Sequence, residues 1–238
     1  MNITDLLDRQ EATWPPAAKH RAGAFCIREG RGGGKRVCAA TAEGPLAKTD
    51  IPAAEQAMAA LGQEALFMVG ADDEALDRAL EARGYRIIDP VLVLSAPVAL
   101  LAAKPPPPVS AFTVEAPLAI MHEIWAENGI GPARLAVMDR VTRPKTYLLA
   151  RQADRGAGAC FAATCDGMAF VHALVVSPRY RRQGAGANMI RAAAIWAQDH
   201  GATRVLALVT DHNAGARALY ASLGFENVGQ FHYRTNAQ

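Results

Sequence analysis

Four consecutive prolines, Pro105 to Pro108, set the strongest constraint on how this chain folds. Proline lacks a backbone N–H and fixes φ at about −65°, so such a run cannot continue a helix or lie inside a sheet, and it forms an extended spacer. Short strands are predicted on either side, at 90–94 and at 112–114. The sequence therefore predicts an N-terminal domain over residues 1–103, a linker over 104–108 and a second domain over 109–238.

Strand patterns alternate with helical patterns in the second domain. Helical stretches are predicted within 117–140, strands at 146–151, 159–165 and 168–176, a helix over 186–200, a strand at 204–210, a helix over 214–223 and a last strand near 228–234. This alternation, with a hairpin-rich middle, predicts a mixed α/β domain.

The segment 174–186 carries the clearest chemical signal. A buried strand runs into a turn rich in arginine and glycine, and a helix begins directly after it. The first N–H groups of a helix lack partners within the helix and lie at the positive end of its dipole, so they favour an anion. Arg181 and Arg182 add positive charge, and glycines at 184 and 186 leave the backbone open to a ligand. We expect a phosphate or pyrophosphate here, while the missing third glycine excludes a dinucleotide fingerprint.

This segment resembles the acetyl-CoA pyrophosphate motif of the GNAT N-acetyltransferases. The matching residues are Arg181-x-x-Gly184-x-Gly186, preceded by Val176-Ser177-Pro178. A second family motif follows as Asn213-x-x-Ala216-x-x-x-Tyr220-x-x-x-Gly224-Phe225. The resemblance covers about residues 110–238 and implies a mostly antiparallel sheet flanked by helices, with acetyl transfer from acetyl-CoA to a primary amine.

The resemblance also implies a role for each matching position. Backbone N–H groups of residues 183–187 would hold the pyrophosphate, the end of the preceding strand would pair with the pantetheine arm, and Asn213 would contact that arm. Tyr220 would donate a proton to the departing thiolate. No metal is expected. The implied cofactor-binding residues are Leu174, Val175, Val176, Arg181, Arg182, Gln183, Gly184, Ala185, Gly186, Ala187 and Asn213.

The group that accepts the proton of the amine is less clearly marked. A lysine-like amine has a pKa of about 10.4 and must lose a proton before it attacks the thioester. Family members often carry an acidic residue on the strand before the pyrophosphate loop, but in the strand at 168–176 the one ionisable residue is His172. His172 is therefore the candidate base, with a water chain, Glu123, Glu127 or Asp139 as alternatives.

Two groups of residues are candidates to line the acceptor pocket. The first group lies on the early helices, where its alternative role is helix packing. The second group lies on the last strand, where its alternative role is a place at the sheet edge. The candidates are Trp125, Asn128, Arg134 and the stretch Phe231–Arg234.

The first domain contains a glycine-rich stretch, Gly30–Lys35, between strands predicted at 24–29 and 36–42. Its spacing differs from that of a phosphate-binding loop, and Arg36 stands where Ser or Thr is needed, so a flexible hairpin tip is predicted. A shift of 140 residues places the strand at 65–69 on 205–209 and Gly84-Tyr85 on Gly224-Phe225. This repeat predicts two tandem copies of one domain. The first copy has lost nearly all the motif residues and is expected to form part of the wall of the acceptor cleft.

Composition narrows the class of protein and its partners. The chain has 238 residues, 51% hydrophobic and 20% charged, as a soluble globular protein does. A net charge of +2 gives no reason to expect nucleic acid, the N-terminus lacks the pattern of a signal peptide, and no apolar run suits a membrane. We expect a cytoplasmic enzyme that acts on a small-molecule amine, as a monomer with pseudo-dimeric domains or a homodimer. The alternatives are a non-catalytic acyl-CoA-binding or sensor protein and a protein-amine acetyltransferase.

Overall fold

A computed structural model describes residues 3–236 of the chain. The first half contains four helices and five strands. They are α1 (Ile3–Thr13), β1 (Ala18–Ala22), β2 (Phe25–Glu29), β3 (Thr41–Ala42), α2 (Asp50–Ala60), β4 (Leu66–Gly70), α3 (Glu74–Ala82), β5 (Arg86–Pro97) and α4 (Val98–Ala102). A single 3-10 turn, Lys35–Val37, lies between β2 and β3.

The second half contains four helices and six strands. They are β6 (Ala111–Val114), α5 (Ala119–Glu127), α6 (Pro132–Arg140), β7 (Lys145–Gln152), β8 (Arg155–Cys165), β9 (Met168–Val176), α7 (Ala185–Asp199), β10 (Arg204–Thr210), α8 (Ala214–Ser222) and β11 (Glu226–Thr235). A 3-10 turn, Pro178–Tyr180, joins β9 to α7. The predicted elements of this half are all present, and the mixed α/β class is confirmed.

Predictions for the first half were less accurate. The strand predicted at 36–42 is wrong: a 3-10 turn occupies its first residues, and β3 is two residues long. The strand predicted at 90–94 is the middle of the twelve-residue β5. Helix α1 and strand β1 were not predicted, because α1 is mostly polar and two of its buried residues, Gln10 and Thr13, are polar as well, while β1 lies on the surface.

The large sheet has eight strands in the order β4-β11-β5-β10-β9-β8-β7-β6, and β1-β2-β3 form a separate small sheet. All neighbouring strands of the large sheet are antiparallel except β9 and β10. Strand β5 of the first half lies between β10 and β11, and β11 lies between β4 and β5. Each half therefore places its last strand beside the preceding strand of the other half, and the two halves share one sheet.

The shift of 140 residues that relates the sequence repeats also relates the strand registers. Val91 lies opposite Phe231, its own equivalent in the other half. Thr210 lies opposite Val91 across β10 and β5, and Gly70 lies opposite Phe231 across β4 and β11. The division of the chain into tandem copies joined at 104–108 stays a prediction, and this register is an argument in its favour.

Helices cover both faces of the large sheet. Helices α4, α7 and α8 pack on one face around Ala193, Met189 and Tyr220. Helices α5 and α6 pack on the other face with Trp14, which follows α1. All four cysteines are free thiols. Among the described residues, no helix combines the length and apolar character needed to cross a bilayer.

Candidate active site

The sheet opens between β9 and β10. These two parallel strands pair only over 168–171 and 204–207, and the remaining residues of both strands have no partner across the gap. The other edge of β9 stays paired with β8 as far as Val176. The edge of β9 that faces the gap therefore keeps backbone N–H and C=O groups with which an extended ligand can pair.

A bulge in β9 stands at this opening. Relative to β8, β9 has an extra residue at Ala173-Leu174, and Ala173 has a φ of 49°. The Ala173 carbonyl accepts a hydrogen bond of 2.9 Å from Nε1 of Trp125, a fully buried residue of α5. A bulge turns neighbouring backbone groups away from the ladder. Trp125, predicted as a pocket residue, thus holds the backbone of β9 in the shape that opens the gap.

The turn after β9 ends in a helix start with free N–H groups. Gly184 is the N-cap of α7 and has a φ of 90°, in the left-handed region that favours glycine. Within residues 3–236, no group accepts a hydrogen bond from the backbone N–H groups of residues 182–187, and the first bonded one is that of Asn188, 2.9 Å from the Gly184 carbonyl. Free N–H groups at the positive end of a 15-residue helix form a site for an anion.

The side chains of this turn differ in their roles. Nε of Arg181 donates to the Val176 carbonyl over 3.1 Å, which fixes the turn to the end of β9. Arg182 and Gln183 are exposed, and Arg182 has a φ of 63°. Arg182 is therefore the side chain of this turn best able to add charge to an anion site.

Gly186, predicted to leave the backbone open to a ligand, is also required for helix packing. It is buried, as is Ala185, and a Cβ at Gly186 would come 2.9 Å from Cδ2 of Leu219 on α8. Its small size lets α7 and α8 pack closely, which fixes the two motif helices relative to each other. Ala187 is half-buried on the next turn.

Helix α8 brings Asn213 and Tyr220 to the same region. Oδ1 of Asn213 accepts a hydrogen bond of 3.0 Å from the Ala216 N–H and so caps α8, which leaves its side-chain NH₂ available. Tyr220 is buried, and its ring lies edge-on to Phe225, with centroids 4.9 Å apart. Its hydroxyl makes no hydrogen bond to another described residue.

Burial raises the pKa of Tyr220; the Cys160 thiol raises it further, and the Arg36 guanidinium opposes the shift. The phenol therefore keeps its proton at neutral pH and can act as a hydrogen-bond donor.

A cavity of about 230 Å³ adjoins the opening. It is lined by the bulge residue of β9 and by the end of β10 that has no partner on β9, and most of its other lining residues belong to the first half. The lining residues are Trp14, Gly33, Gly34, Lys35, Arg36, Asp89, Val91, Arg134, Ala173, Leu208, Thr210 and Tyr233. Of the predicted pocket residues, Arg134 and Tyr233 line it, whereas Asn128 bonds to the Ile124 carbonyl of its own helix.

The glycine-rich stretch of the first half carries Arg36 into this cavity. The prediction of a flexible hairpin tip is wrong, because Gly33 is buried and a Cβ there would come 2.7 Å from Val137 of α6 and 2.8 Å from Val37. The loop packs against α6, and the 3-10 turn that follows directs Arg36 inward. Nη1 of Arg36 lies 3.2 Å from Nδ1 of His172, and its guanidinium lies 5.6 Å from the ring centre of Trp14.

His172 is buried in a chain of hydrogen bonds. Its Nδ1 faces the guanidinium of Arg36, which can only donate, so Nδ1 accepts and Nε2 carries the proton. Nε2 lies 2.9 Å from Oγ1 of Thr13, which donates to the Gln10 carbonyl over 2.8 Å. Burial, and then Arg36, hold the pKa of His172 well below its usual value, so the ring is neutral. Its assignment as the base stays a prediction, and these contacts favour a role in positioning Arg36.

A carboxylate that the sequence analysis did not select lies in the cavity wall. Asp89 has a φ of 42° where β5 carries an extra residue relative to β11, and it forms an ion pair with Lys35. The signal that could have revealed it is Asp89-Pro90 within a strand, because proline inside a sheet indicates a bulge. The alternative bases Glu123, Glu127 and Asp139 are exposed and do not line the cavity. Within the described chain, no group of three or more His, Cys, Asp or Glu could hold a metal ion.

Comparison with known proteins agrees with this geometry. Residues 118–225 match the model of the acetyltransferase (GNAT) family. Over 233 residues the chain is 25% identical to the uncharacterized N-acetyltransferase YobR of Bacillus subtilis, and the match covers 94% of each chain. The match to YobR thus includes the first half, which lies outside the family match.

Two solved structures show the same fold over nearly the whole chain. A GCN5-related N-acetyltransferase from Kribbella flavida has a TM-score of 0.71 at 19% identity and covers 98% of this chain and 95% of its own. A tandem GNAT protein from the clavulanic acid biosynthesis pathway has a TM-score of 0.62 at 15% identity, with 93% and 84% covered. With the family match at 118–225, the second half of this chain belongs to the GNAT family of acyltransferases.

Proposed function

We propose that this protein transfers an acetyl group from acetyl-CoA to a primary amine of a small molecule, by direct attack of the amine on the thioester. The observation that carries the proposal is the gap between β9 and β10, which leads to the six free N–H groups at the start of α7. An extended arm that ends in a pyrophosphate matches both features, because the arm can pair with β9 and the anion with the helix start.

The residues at this site divide the binding of acetyl-CoA among them. Backbone groups of residues 174–176 have no partner on β10 and are available to the pantetheine arm, except for the Val176 carbonyl, which accepts a hydrogen bond from Arg181. The N–H groups of 182–187 and the exposed Arg182 supply positive charge for the pyrophosphate. The free side-chain NH₂ of Asn213 is a donor for the arm, while its oxygen keeps α8 capped.

The transfer requires two proton movements. The amine nitrogen forms a bond to the carbonyl carbon, the C–S bond breaks, and its electron pair goes to sulfur. We assign the donation of a proton to that sulfur to Tyr220, a buried phenol that keeps its proton at neutral pH. For the proton lost by the amine, we propose Asp89, reached directly or through water, since it is the carboxylate of the cavity wall. His172 stays the alternative.

The first half takes part in the site in this proposal. Trp14, Arg36 and Asp89 line the cavity, and β5 covers the edge of β10. We propose that the halves are two related copies packed like the subunits of a dimer. An isolated fragment of residues 109–238 would lose the strands that flank β10 and β11. We expect it to be insoluble or inactive, and a soluble, fully active fragment would contradict the proposal.

The small size of the cavity favours a small molecule over a protein as the acceptor. Its volume of about 230 Å³ is close to that of eight water molecules, at about 30 Å³ each in the liquid. A polypeptide segment presented by a folded protein would instead need an open groove.

Calorimetric titration with acetyl-CoA tests the proposal. Gly184→Val should weaken binding at least about tenfold, because valine disfavours the left-handed φ of 90° and shifts the N–H groups. Gly201→Val is the matched control: Gly201 follows the other end of α7, has a φ of 74°, and likewise has open space around an added Cβ. We expect the control to lose stability but to bind acetyl-CoA as the wild type does. Equal binding by both variants would exclude this loop as the cofactor site.

A further inference from the structure

The cavity beside the β9–β10 gap has an excess of positive charge. Three cations, Lys35, Arg36 and Arg134, line it together with a single carboxylate, Asp89. Lys35 forms an ion pair with Asp89. Two guanidinium groups therefore remain without a counter-ion in the cavity wall.

Arg36 uses only part of its hydrogen-bonding capacity. A guanidinium has five N–H donors, and the hydrogen bond of Arg36 to another described residue is the one to Nδ1 of His172. Its side chain is half-buried, and no carboxylate within residues 3–236 forms an ion pair with it. Burial lowers the pKa of Arg36, which shows that the surroundings disfavour its charge. A desolvated cation with free donors is a site for an anion.

Arg134 approaches Arg36 from α6. Its guanidinium lies against Gly34, where an added Cβ would come 3.4 Å from Nε and 3.5 Å from Nη2. It is close enough to Arg36 to lower the pKa of that group further. Arg134 is exposed and likewise has no carboxylate partner among the described residues. Two like charges that converge on one cavity are stabilised by an anion that contacts both of them.

We propose that the acceptor is a small primary amine that also carries a carboxylate, as an amino acid does. Arg36 and Arg134 bind its carboxylate, while the amino group faces Asp89 and the gap. The proposal rests on the proposed function and names the substrate class of the same site. It excludes polyamines and aminoglycosides as acceptors, because their positive charges would meet the two guanidinium groups.

The hydrogen-bond chain of His172 explains how Arg36 is held. A neutral ring that accepts from Arg36 and donates to Thr13 fixes the direction of the guanidinium without adding a second charge. Arg36 follows Lys35, the ion-pair partner of Asp89, in the chain, and Arg36, Asp89 and the buried Tyr233 line the same cavity. The cationic and anionic groups of the cavity are therefore neighbours, as an amino acid requires.

Matched pairs of amines test the substrate class. Each L-amino acid, β-alanine and γ-aminobutyrate would be compared with its carboxamide, and γ-aminobutyrate also with 1,4-diaminobutane, by coenzyme A release. The carboxamide has the more readily deprotonated amine, so intrinsic reactivity works against the expected result. We expect at least one carboxylate to exceed its amide by about 10- to 100-fold in kcat/KM, the range for a hydrogen bond to a charged group.

Variants assign that preference to the two arginines. Arg36→Gln should bring each pair to within about twofold, and Arg134→Gln on the exposed face of α6 should raise the KM for the carboxylate about three- to tenfold. Arg31→Gln is the control, because Arg31 lies in the same loop, pairs with Glu29 and does not line the cavity. Protection of Arg36 from phenylglyoxal by the preferred amino acid, read by peptide mass, measures binding without turnover.

Three outcomes would overturn the inference: amides or diamines acetylated as well as the carboxylates, no carboxylate acetylated by a protein that binds acetyl-CoA, or a preference unchanged in Arg36→Gln. Failure to bind acetyl-CoA would instead refute the proposed function. In that case the protection experiment still decides whether the cavity binds an amino acid.

Discussion

Tyr220 offers a sharp test of the chemistry, because its hydroxyl makes no hydrogen bond to another described residue. Tyr220→Phe removes only that hydroxyl, so neither a buried donor nor a buried acceptor is left unpaired. We expect the free energy of unfolding to change by less than about 0.5 kcal/mol. The dissociation constant for acetyl-CoA should also stay within about twofold, because the proposed contacts with the arm and pyrophosphate are all elsewhere.

The turnover number of Tyr220→Phe should fall much further. A positioned proton donor contributes about 10²- to 10⁴-fold, so we expect a decrease of at least about 100-fold, equal to about 2.7 kcal/mol of activation free energy. Steady-state release of coenzyme A at saturating acetyl-CoA measures this loss. Turnover within twofold of the wild type would remove Tyr220 from the chemistry.

Tyr85→Phe is the matched control, with the opposite expectation. Tyr85 is also buried, but its hydroxyl donates to Oε1 of Glu55 over 2.7 Å and lies in the core of the first half. Loss of a hydrogen bond to a charged group should lower the free energy of unfolding by about 1–2 kcal/mol and leave turnover unchanged. A fall in turnover in both variants would mean that the Tyr220 effect is one of stability.

Two further predictions concern pH. Asp77 of α3 accepts hydrogen bonds of 2.7 Å from Arg234 and His232 of β11, and Arg234 holds the pKa of Asp77 down at about 2. Above pH 4, Asp77→Asn should lower the free energy of unfolding, measured in urea, by about 1–2 kcal/mol. Because the pKa of Asp77 is depressed in the folded state, the difference in unfolding free energy between wild type and variant should shrink from pH 4 to pH 2. A difference that stays constant over this range would contradict the ion pair. Burial holds the pKa of His172 well below 6.5, so His172→Ala should leave the acidic limb of the pH profile of kcat/KM unaltered. The same variant should raise the KM for the acceptor, because Arg36 loses its partner. Loss of the acidic limb would instead identify His172 as the base.

The parts of the site that could be predicted from the sequence depend on local interactions. The strand, turn and helix at 168–199 follow from hydrophobic periodicity and from glycine and arginine at fixed spacing, so their bounds match the structure closely. The second motif on α8 is local in the same sense, because Asn213 caps the helix three residues ahead at Ala216. Predictions of this kind need no knowledge of what packs against the segment.

The glycine-rich loop shows why other parts could not be predicted. Gly33 is required because Val137, more than 100 residues later, would clash with a Cβ. Seen locally, the same glycines indicate a mobile turn, and Arg36 then looks like a solvated surface charge. Only the long-range packing on α6 shows that the loop is ordered and that Arg36 reaches His172.

The exchange of strands between the halves also could not be predicted from the sequence. The repeat makes β5 and β11 equivalent, so either could pair with β10 on hydrophobic pattern alone. The observed choice has a chemical consequence, because it places the Asp89 bulge of β5, rather than the equivalent part of β11, beside the end of β10 that has no partner on β9. In this arrangement the half without the cofactor motifs contributes both the carboxylate and the half-buried guanidinium of the cavity. Acceptor specificity is therefore expected to vary with the first half of the chain, whereas acetyl-CoA binding is expected to depend on the second.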